Sequence, residues 1–363
     1  MQIERIELGE LKVPLHTPFK TSLRTVDAVH DVVVRIHTKS GHIGYGEAPP
    51  TAVITGETRA SIRAAVEEYI APKLMGRDAR AMEDNQEILH AAILGNTSAK
   101  AAIDMALYDL WAQSMVVPLY RALGGSSGTL ETDLTISVNS VEEMTRDAVI
   151  AVERGFHVLK VKLGLDEALD IARVQSIRQA VGEDVVVRLD ANQGWTLKEA
   201  LSITDKLDGL GLNIELIEQP LHYSDLHGMI ELTRVSRIPI MADESVFSPA
   251  QALEVIRLRA ADILNIKLMK TGGIYKALQI TSLAKMHGIA CMIGCMLESS
   301  ISVGAASHLA AARPIIQYVD LDGPSLCKEN PVVGGTDFEE ERITLNETPG
   351  LGIQEVKGFV AYE

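Results

Sequence analysis

The sequence predicts an α/β protein built on a barrel of eight parallel strands, and two observations carry that prediction. Five short apolar runs, HVLKVKL, VVVRLDAN, IELIEQP, IPIMADES and ILNIKL, place Lys162, Asp190, Glu218, Asp243 and Lys267 at or near their ends. These five residues recur at intervals of 28, 28, 25 and 24, about the length of one strand plus its crossover helix. From Thr132 onward, strand and helix patterns also alternate. Eight apolar strand candidates end near Val138, Leu163, Asp190, Glu218, Ala242, Lys267, Cys295 and Leu321. In a parallel barrel the carboxyl ends of all strands open on one face, so residues distant in sequence converge there.

The remaining elements follow in chain order. IERIELGELKVPL reads as a strand, and HDVVVRIHTKSGHIGYGEA holds two alternating runs joined by a hairpin turn at Lys39, Ser40 and Gly41. From Ser61 to Ala122 the apolar spacing becomes helical. In its last segment Ala101, Met105, Tyr108, Leu110 and Trp111 approximate one apolar stripe. Gly124, Gly125, Ser126, Ser127 and Gly128 mark a linker. Beyond it, Ser140 with Glu143 and Thr196 with Glu199 are spaced as capping boxes. Ser248 reads as an N-cap before a first-turn Pro249 and a capping-box Gln251. Residues 325–363 lose the alternation. The predicted division is an α+β unit over 1–125, completed by 325–363, and a barrel over 126–324.

Composition excludes several classes. At 363 residues, 47% hydrophobic and 23% charged, the chain has ample material for a soluble core. Its net charge is −15 with no basic run of five, so no nucleic-acid partner is expected. The N-terminus mixes charged and apolar residues unlike a signal peptide, and no stretch of about 18 apolar residues is present to span a bilayer. No membrane partner is therefore expected. Three cysteines, Cys291, Cys295 and Cys327, cannot all pair with one another. A reduced cytoplasmic setting and a homo-oligomeric assembly are the expectations.

The chemistry starts from the acids. One acid at a strand end is commonly a helix cap, but Asp190, Glu218 and Asp243 end three consecutive strands. Brought together without a cation they would repel one another. An all-oxygen set of this kind suits Mg²⁺, one ion per subunit. Lys160 and Lys162 share a strand face by their spacing of two. Lys267 arrives four strands later, across the barrel. A like-charged neighbour and a metal should each lower a lysine's pKa toward the range of a general base. Two bases on opposite sides of one site imply proton removal from one face of a carbon and return on the other. Removing the α-proton of a carboxylate gives an ene-diolate that a divalent cation can stabilise. Racemisation, epimerisation and β-elimination all begin with that step, and a non-catalytic binding barrel is the alternative from another class.

Lys160-Val-Lys162, Asp190-Ala-Asn192-Gln193, Glu218-Gln219-Pro220, Asp243-Glu244-Ser245 and Asn265-Ile-Lys267 resemble the motifs of the enolase superfamily, in its muconate-lactonizing subgroup. The resemblance covers essentially the whole chain. It implies a modified TIM barrel, (β/α)₇β, beneath an α+β capping domain. It also implies Asp190, Glu218 and Asp243 as Mg²⁺ ligands, with Lys162 and Lys267 as the acid/base pair and Lys160 among the substrate contacts.

Within the subgroup, the segment Tyr318-Val-Asp320-Leu-Asp322-Gly-Pro discriminates. Asp320 and Asp322 share a face, and two unpaired carboxylates turned to the cavity suit a substrate ammonium. The other reading is a cap or a loop-ordering aspartate. The pair is similar to that of the dipeptide epimerases. Arg24, taken alone, reads as a solvated charge on a mobile loop. The loop Phe19–Thr25 is similar to one in Ala-Glu epimerases, where the matching arginine meets the glutamate side chain. Residues 50–56 resemble the partner loop that closes over substrate. Thr135 matches a substrate-contacting threonine, and Cys295 to Leu297 match a segment that cradles the dipeptide. The resemblance thus implies a Mg²⁺-dependent epimerase of dipeptides such as L-Ala-D/L-Glu, inverting the second residue, with a role in murein peptide metabolism. N-acylamino-acid racemase and o-succinylbenzoate synthase are the alternatives within the superfamily.

Overall fold

A computed structural model describes residues 1–21, 25–164 and 166–363. β1 (Ile3–Lys20) and β2 (Thr25–Thr38) form a long antiparallel ribbon, with Ile6 opposite Ile36 and Lys20 opposite Thr25. After the turn at residues 39–41, β3 (Ile43–Ala48) extends the sheet. Helix α1 (Thr97–Ser114) carries two apolar stripes rather than one. Ala101, Met105, Tyr108 and Ala112 pack into the barrel core, whereas Ala102, Ile103, Ala106 and Leu110 pack into the core under the sheet. A helix wedged between two layers must be apolar on both faces, which is why Leu110 leaves the expected stripe. The helix lies very close to β3. A Cβ at Gly46 would sit 1.8 Å from the Ala102 carbonyl oxygen, so only glycine fits there.

The barrel strands are β5 (Leu134–Ile136), β6 (Val158–Lys162), β7 (Val186–Asp190), β8 (Ile214–Glu218), β9 (Ile240–Ala242), β10 (Ile263–Lys267), β11 (Ala290–Gly294) and β12 (Ile316–Asp320); β4 (Thr129–Glu131) lies outside it. All eight are parallel and ordered as in the chain. Their ends fall within two residues of those expected. Asp133 N–H donates to the Val319 carbonyl across the seam, which nearly closes the barrel. Crossover helices follow the first seven strands: α2 (Val141–Glu153), α3 (Glu167–Val181), α4 (Leu197–Gly209), α5 (Leu226–Val235), α6 (Pro249–Leu258), α7 (Ile274–His287) and α8 (Ser300–Ala312). Only a short helical turn, Gly323–Leu326, follows β12. The architecture is therefore (β/α)₇β with a separate capping layer.

The helix starts behave as their side chains dictate. Thr196 and Glu199 form a complete reciprocal box. Ser140 accepts from Glu143 N–H without the reciprocal bond. Gln251 Oε1 reaches past the cap to Phe247 N–H at 2.9 Å. The tail divides: β14 (Asp337–Glu339) and β15 (Arg342–Thr344) pair with β4, β13 (Val332–Gly334) pairs with β16 (Ile353–Val356), and β17 (Val360–Ala361) joins β1. Among the described residues, no helix is long and apolar enough to cross a membrane.

Side-chain alternation divides the barrel. Leu159, Val161, Val187, Leu189, Ile217, Leu264, Ile266 and Ile293 point outward to the helices. Leu216, Met241, Ile263 and Met292 form an apolar plug inside. Arg188, bonded to Asp133 Oδ2 at 2.8 Å and Glu215 Oε2 at 2.6 Å, lies two residues below Asp190. The polar rim is left above.

Candidate active site

Strand register builds the rim. Lys162 pairs across to Asp190, Asp190 to Glu218 and Glu218 to Met241, so Asp243 follows just beyond β9. Lys267 pairs with Gly294, and Gly294 with Asp320. The three acids thus form a row with a lysine at each end. Lys162 Nζ donates to Asp190 Oδ2 at 2.6 Å, and Lys267 Nζ donates to Asp243 Oδ2 at 2.7 Å. Lys160 sits beneath, 2.6 Å from Glu218 Oε2 and Asp320 Oδ2 and 3.2 Å from Asp190 Oδ2. All six side chains are buried.

Backbone and neighbouring side chains fix the row. Asn192 N–H donates to Asp190 Oδ1 at 2.9 Å. Asn265 Nδ2 donates to Glu218 Oε1 at 2.6 Å. Gln219 Oε1 accepts from the N–H groups of Asp243 and Ser245. Asn192, Gln193 and Gln219 all have positive φ, at 41°, 65° and 32°. Left-handed backbone at non-glycine residues is costly and concentrates at functional sites. Lys270, fully buried, donates to the Asp243 carboxylate, the Asp243 carbonyl and the Asn265 carbonyl. Sequence reasoning missed Lys270, although it lies one helical step after Lys267. It also left Asn192, Gln219, Glu244 and Asn265 without roles inside motifs it quoted.

A cleft opens over the row. Lys162, Asn192, Asp243, Glu244 and Lys267 line its floor, Cys295, Met296 and Leu297 one wall, and Phe19, Thr21, Val53 and Ile54 come from the cap. Arg24 lies outside the described residues. The other expected contacts are not among the residues that line this cleft. Thr135 lines a groove beside Lys20 and Ser137. Asp320 and Asp322 are not the unpaired carboxylates expected. Asp320 is bonded to Lys160, and Asp322 Oδ2 accepts from Thr135 N–H at 2.7 Å. The short span across the seam brings Asp322 onto the β5 backbone, which supplies a donor.

In the metal-free site the surrounding acids set the charge of the lysines. Burial disfavours the Lys267 ammonium, yet Asp243 and Glu218 outweigh it and hold the group above its ordinary value. Lys160 is likewise held up against burial by Asp320, Glu218 and Asp190. Surrounding anions dominate the like-charge effect of a neighbouring lysine. The acids respond in kind. Asp190 and Asp243 are lowered: burial raises both, but Lys162 and Lys160 prevail at the first, Lys267 and Lys270 at the second. Glu244 is raised by burial and by Asp243.

The oxygen set fits a hard cation. Both oxygens of Glu244 and Asn192 Oδ1 are buried acceptors without a hydrogen-bond donor. Surplus buried acceptors with no Cys or His among them suit Mg²⁺. As they stand, each of the three acids is turned to an ammonium, and among the described residues no three His, Cys, Asp or Glu side chains already enclose a metal position.

Residues 5–124 match the mandelate racemase / muconate lactonizing enzyme N-terminal domain, and residues 143–356 match the enolase C-terminal domain-like family. The chain belongs to the enolase superfamily. Its relatives in that superfamily include an L-Ala-D/L-Glu epimerase of Clostridium acetobutylicum, 51% identical over 98% of this chain and 99% of the relative. A substrate-liganded L-Ala-D/L-Glu epimerase of Bacillus subtilis superposes with a TM-score of 0.97 at 48% identity, covering 98% of this chain and 99% of that one. A dipeptide epimerase of Enterococcus faecalis, solved with Mg and L-Leu-L-Tyr, gives 0.95 at 40% identity over 98% and 100%. These relatives are epimerases, and the chain is an isomerase with Mg²⁺ as its cofactor.

Proposed function

We propose that this protein is a dipeptide epimerase that inverts the α-carbon of the second residue, with L-Ala-D/L-Glu as its preferred class of substrate. One observation carries the reading: Lys162 and Lys267 bracket a buried row of acids beneath a cleft roofed by the capping sheet. The names of the most similar relatives point to the same substrates.

Lys162 and Lys267 are the acid/base pair in this reading. One, as the neutral amine, takes the α-proton from one face, and the other, as the ammonium, returns a proton to the opposite face. Held by Asp190, Glu218 and Asp243, Mg²⁺ would stabilise the ene-diolate charge and draw those carboxylates off the lysines. Asn192, Asn265 and Lys270 hold the acids in place. Arg24 is assigned to the glutamate side chain, Cys295 and Leu297 to the dipeptide wall. Thr135, Lys160, Asp320 and Asp322 form the corner that meets the substrate ammonium through its net negative charge.

The experiment is incubation with Mg²⁺ and a dipeptide library in D₂O, reading α-deuterium by mass spectrometry. Deuterium at the second residue with inversion supports the proposal; none in any dipeptide overturns it. The internal pairing of Asp320 and Asp322 favours a second reading, an N-acylamino-acid racemase, because neither aspartate stands unpaired for an ammonium. Faster turnover of acylated than of free-amine substrates would establish that reading instead.

A further inference from the structure

The wall of the cleft is tied to the capping sheet by three side chains outside the acid row. Glu298 Oε1 accepts from Met296 N–H at 2.6 Å, and its Oε2 lies 2.5 Å from Ser302 Oγ. Ser302 Oγ lies 2.8 Å from Oε2 of Glu47, which comes from β3. Glu47 also accepts from the backbone N–H groups of Ser299 and Ser302, at 3.1 and 3.0 Å, where α8 begins. Glu47 and Ser302 are 0% exposed and Glu298 is 3% exposed.

Counting protons assigns the charge. Two O···O contacts at these distances need one proton each, and a serine hydroxyl supplies only one. The second must come from a carboxyl group. Glu47 takes two backbone N–H bonds at a helix N-terminus, one on each oxygen, so both of its oxygens already act as acceptors. Glu298 takes one N–H bond and sits in a buried loop. We propose that Glu298 is a positioning residue acting as a neutral carboxylic acid: it donates to Ser302 Oγ, Ser302 donates to ionised Glu47, and this chain fixes the Cys295–Leu297 wall against the cap.

The surroundings agree. Burial raises Glu298 to about 7 against its Ser302 and Met296 bonds, with Glu47 adding to the rise and Lys267 from β10 opposing it. Cys295 faces Glu298, Asp320 and Asp322, and Cys327 faces Glu47, Asp31 and Asp322. A carboxyl raised in the folded state favours folding at low pH and loses that contribution as pH rises through about 7. The wall should therefore loosen on the alkaline side. Only the kinetic readout below rests on the epimerase reading.

Isosteric amides test the assignment. Glu298→Gln keeps both bonds, its Nε2 donating to Ser302 and its Oε1 accepting from Met296. It should leave kcat/KM and Tm near wild type at pH 6 to 7 and hold KM constant further into alkaline pH. Glu47→Gln turns an NH₂ group toward backbone donors. That buried mismatch should raise KM by about tenfold or more with a lower Tm, since unsatisfied buried groups cost that much. Glu244 and Asp104 are raised too, so the wild type should show several protonated-acid infrared bands; one of them should fade as pH rises through about 7 and be missing in Glu298→Gln. The reverse pattern, a damaging Glu298→Gln with a tolerated Glu47→Gln, overturns the proposal. So does a wild-type spectrum whose acid bands do not titrate, even if a variant fails to fold. Because the infrared and Tm readouts need no substrate, loss of the epimerase reading would leave this test standing.

Discussion

The two halves of the barrel rim handle buried charge differently. Along β7 to β9, the acids take their charge partners from lysine side chains on long, rotatable stems. At the seam between β12 and β5, Asp322 is held by a backbone N–H that cannot move away. Lysine ammoniums can be exchanged for a metal ion or a substrate, whereas a main-chain donor cannot. The first half is built for working chemistry and the second for shape and field.

The strongest way to break this comparison is to remove the movable partners. Lys162→Ala and Lys267→Ala should each abolish net epimerisation, a loss of about 10²–10⁴-fold or more given what a general acid or base contributes. Each variant should keep α-proton exchange with D₂O for at most one stereoisomer. Net inversion surviving in both single variants would end the opposed-base mechanism.

Next in size is a lysine whose partners do not move. Lys270→Met removes one buried donor each from the Asp243 carboxylate and from the carbonyls of Asp243 and Asn265. Breaking a buried pair from one side costs about 3–5 kcal/mol, so the variant should show a lower Tm and weaker Mg²⁺ binding by calorimetry. A variant with wild-type Tm and Mg²⁺ affinity would show that Asp243 is positioned without Lys270. A smaller effect is expected at Gly294. Its added Cβ would lie 3.0 Å from Lys267 Cε and 2.9 Å from Asn265 Oδ1. Gly294→Ala should displace the Lys267 stem and lower kcat about tenfold, consistent with the sensitivity of reacting groups to sub-ångström displacement. An unchanged kcat would mean that Lys267 reaches its working position by another path.

The same division explains what could be read from the chain. The row and its lysines were legible because strand period and βα spacing are local regularities, and they place Lys162, Asp190, Glu218, Asp243 and Lys267 on one rim without tertiary knowledge. A one-stripe template puts Leu110 on the wrong face, because a helix wedged between two layers has two apolar stripes that the template merges. Asp320 and Asp322 look unpaired in the sequence because their partners, Lys160 and the Thr135 backbone, are 160 and 187 residues away. Glu298 and Glu47 meet over a similar distance, at Ser302. Partners that tertiary closure supplies leave no periodic trace.

The smallest expected effect sharpens the comparison most, because it separates charge from shape at one atom. Asp322→Asn keeps an oxygen for Thr135 N–H and removes only the negative charge. If the seam is frame, Tm should change little. If its field also meets the substrate ammonium, kcat/KM for free-amine dipeptides should fall about fivefold, the equivalent of roughly 1 kcal/mol of partly screened charge attraction. N-acetylated dipeptides, lacking that charge, should be unaffected by the substitution. A Tm drop shared with equal losses on both substrate classes would make Asp322 purely structural. The ammonium contact would then fall to Asp320 or be absent, as in an acyl-amino-acid racemase.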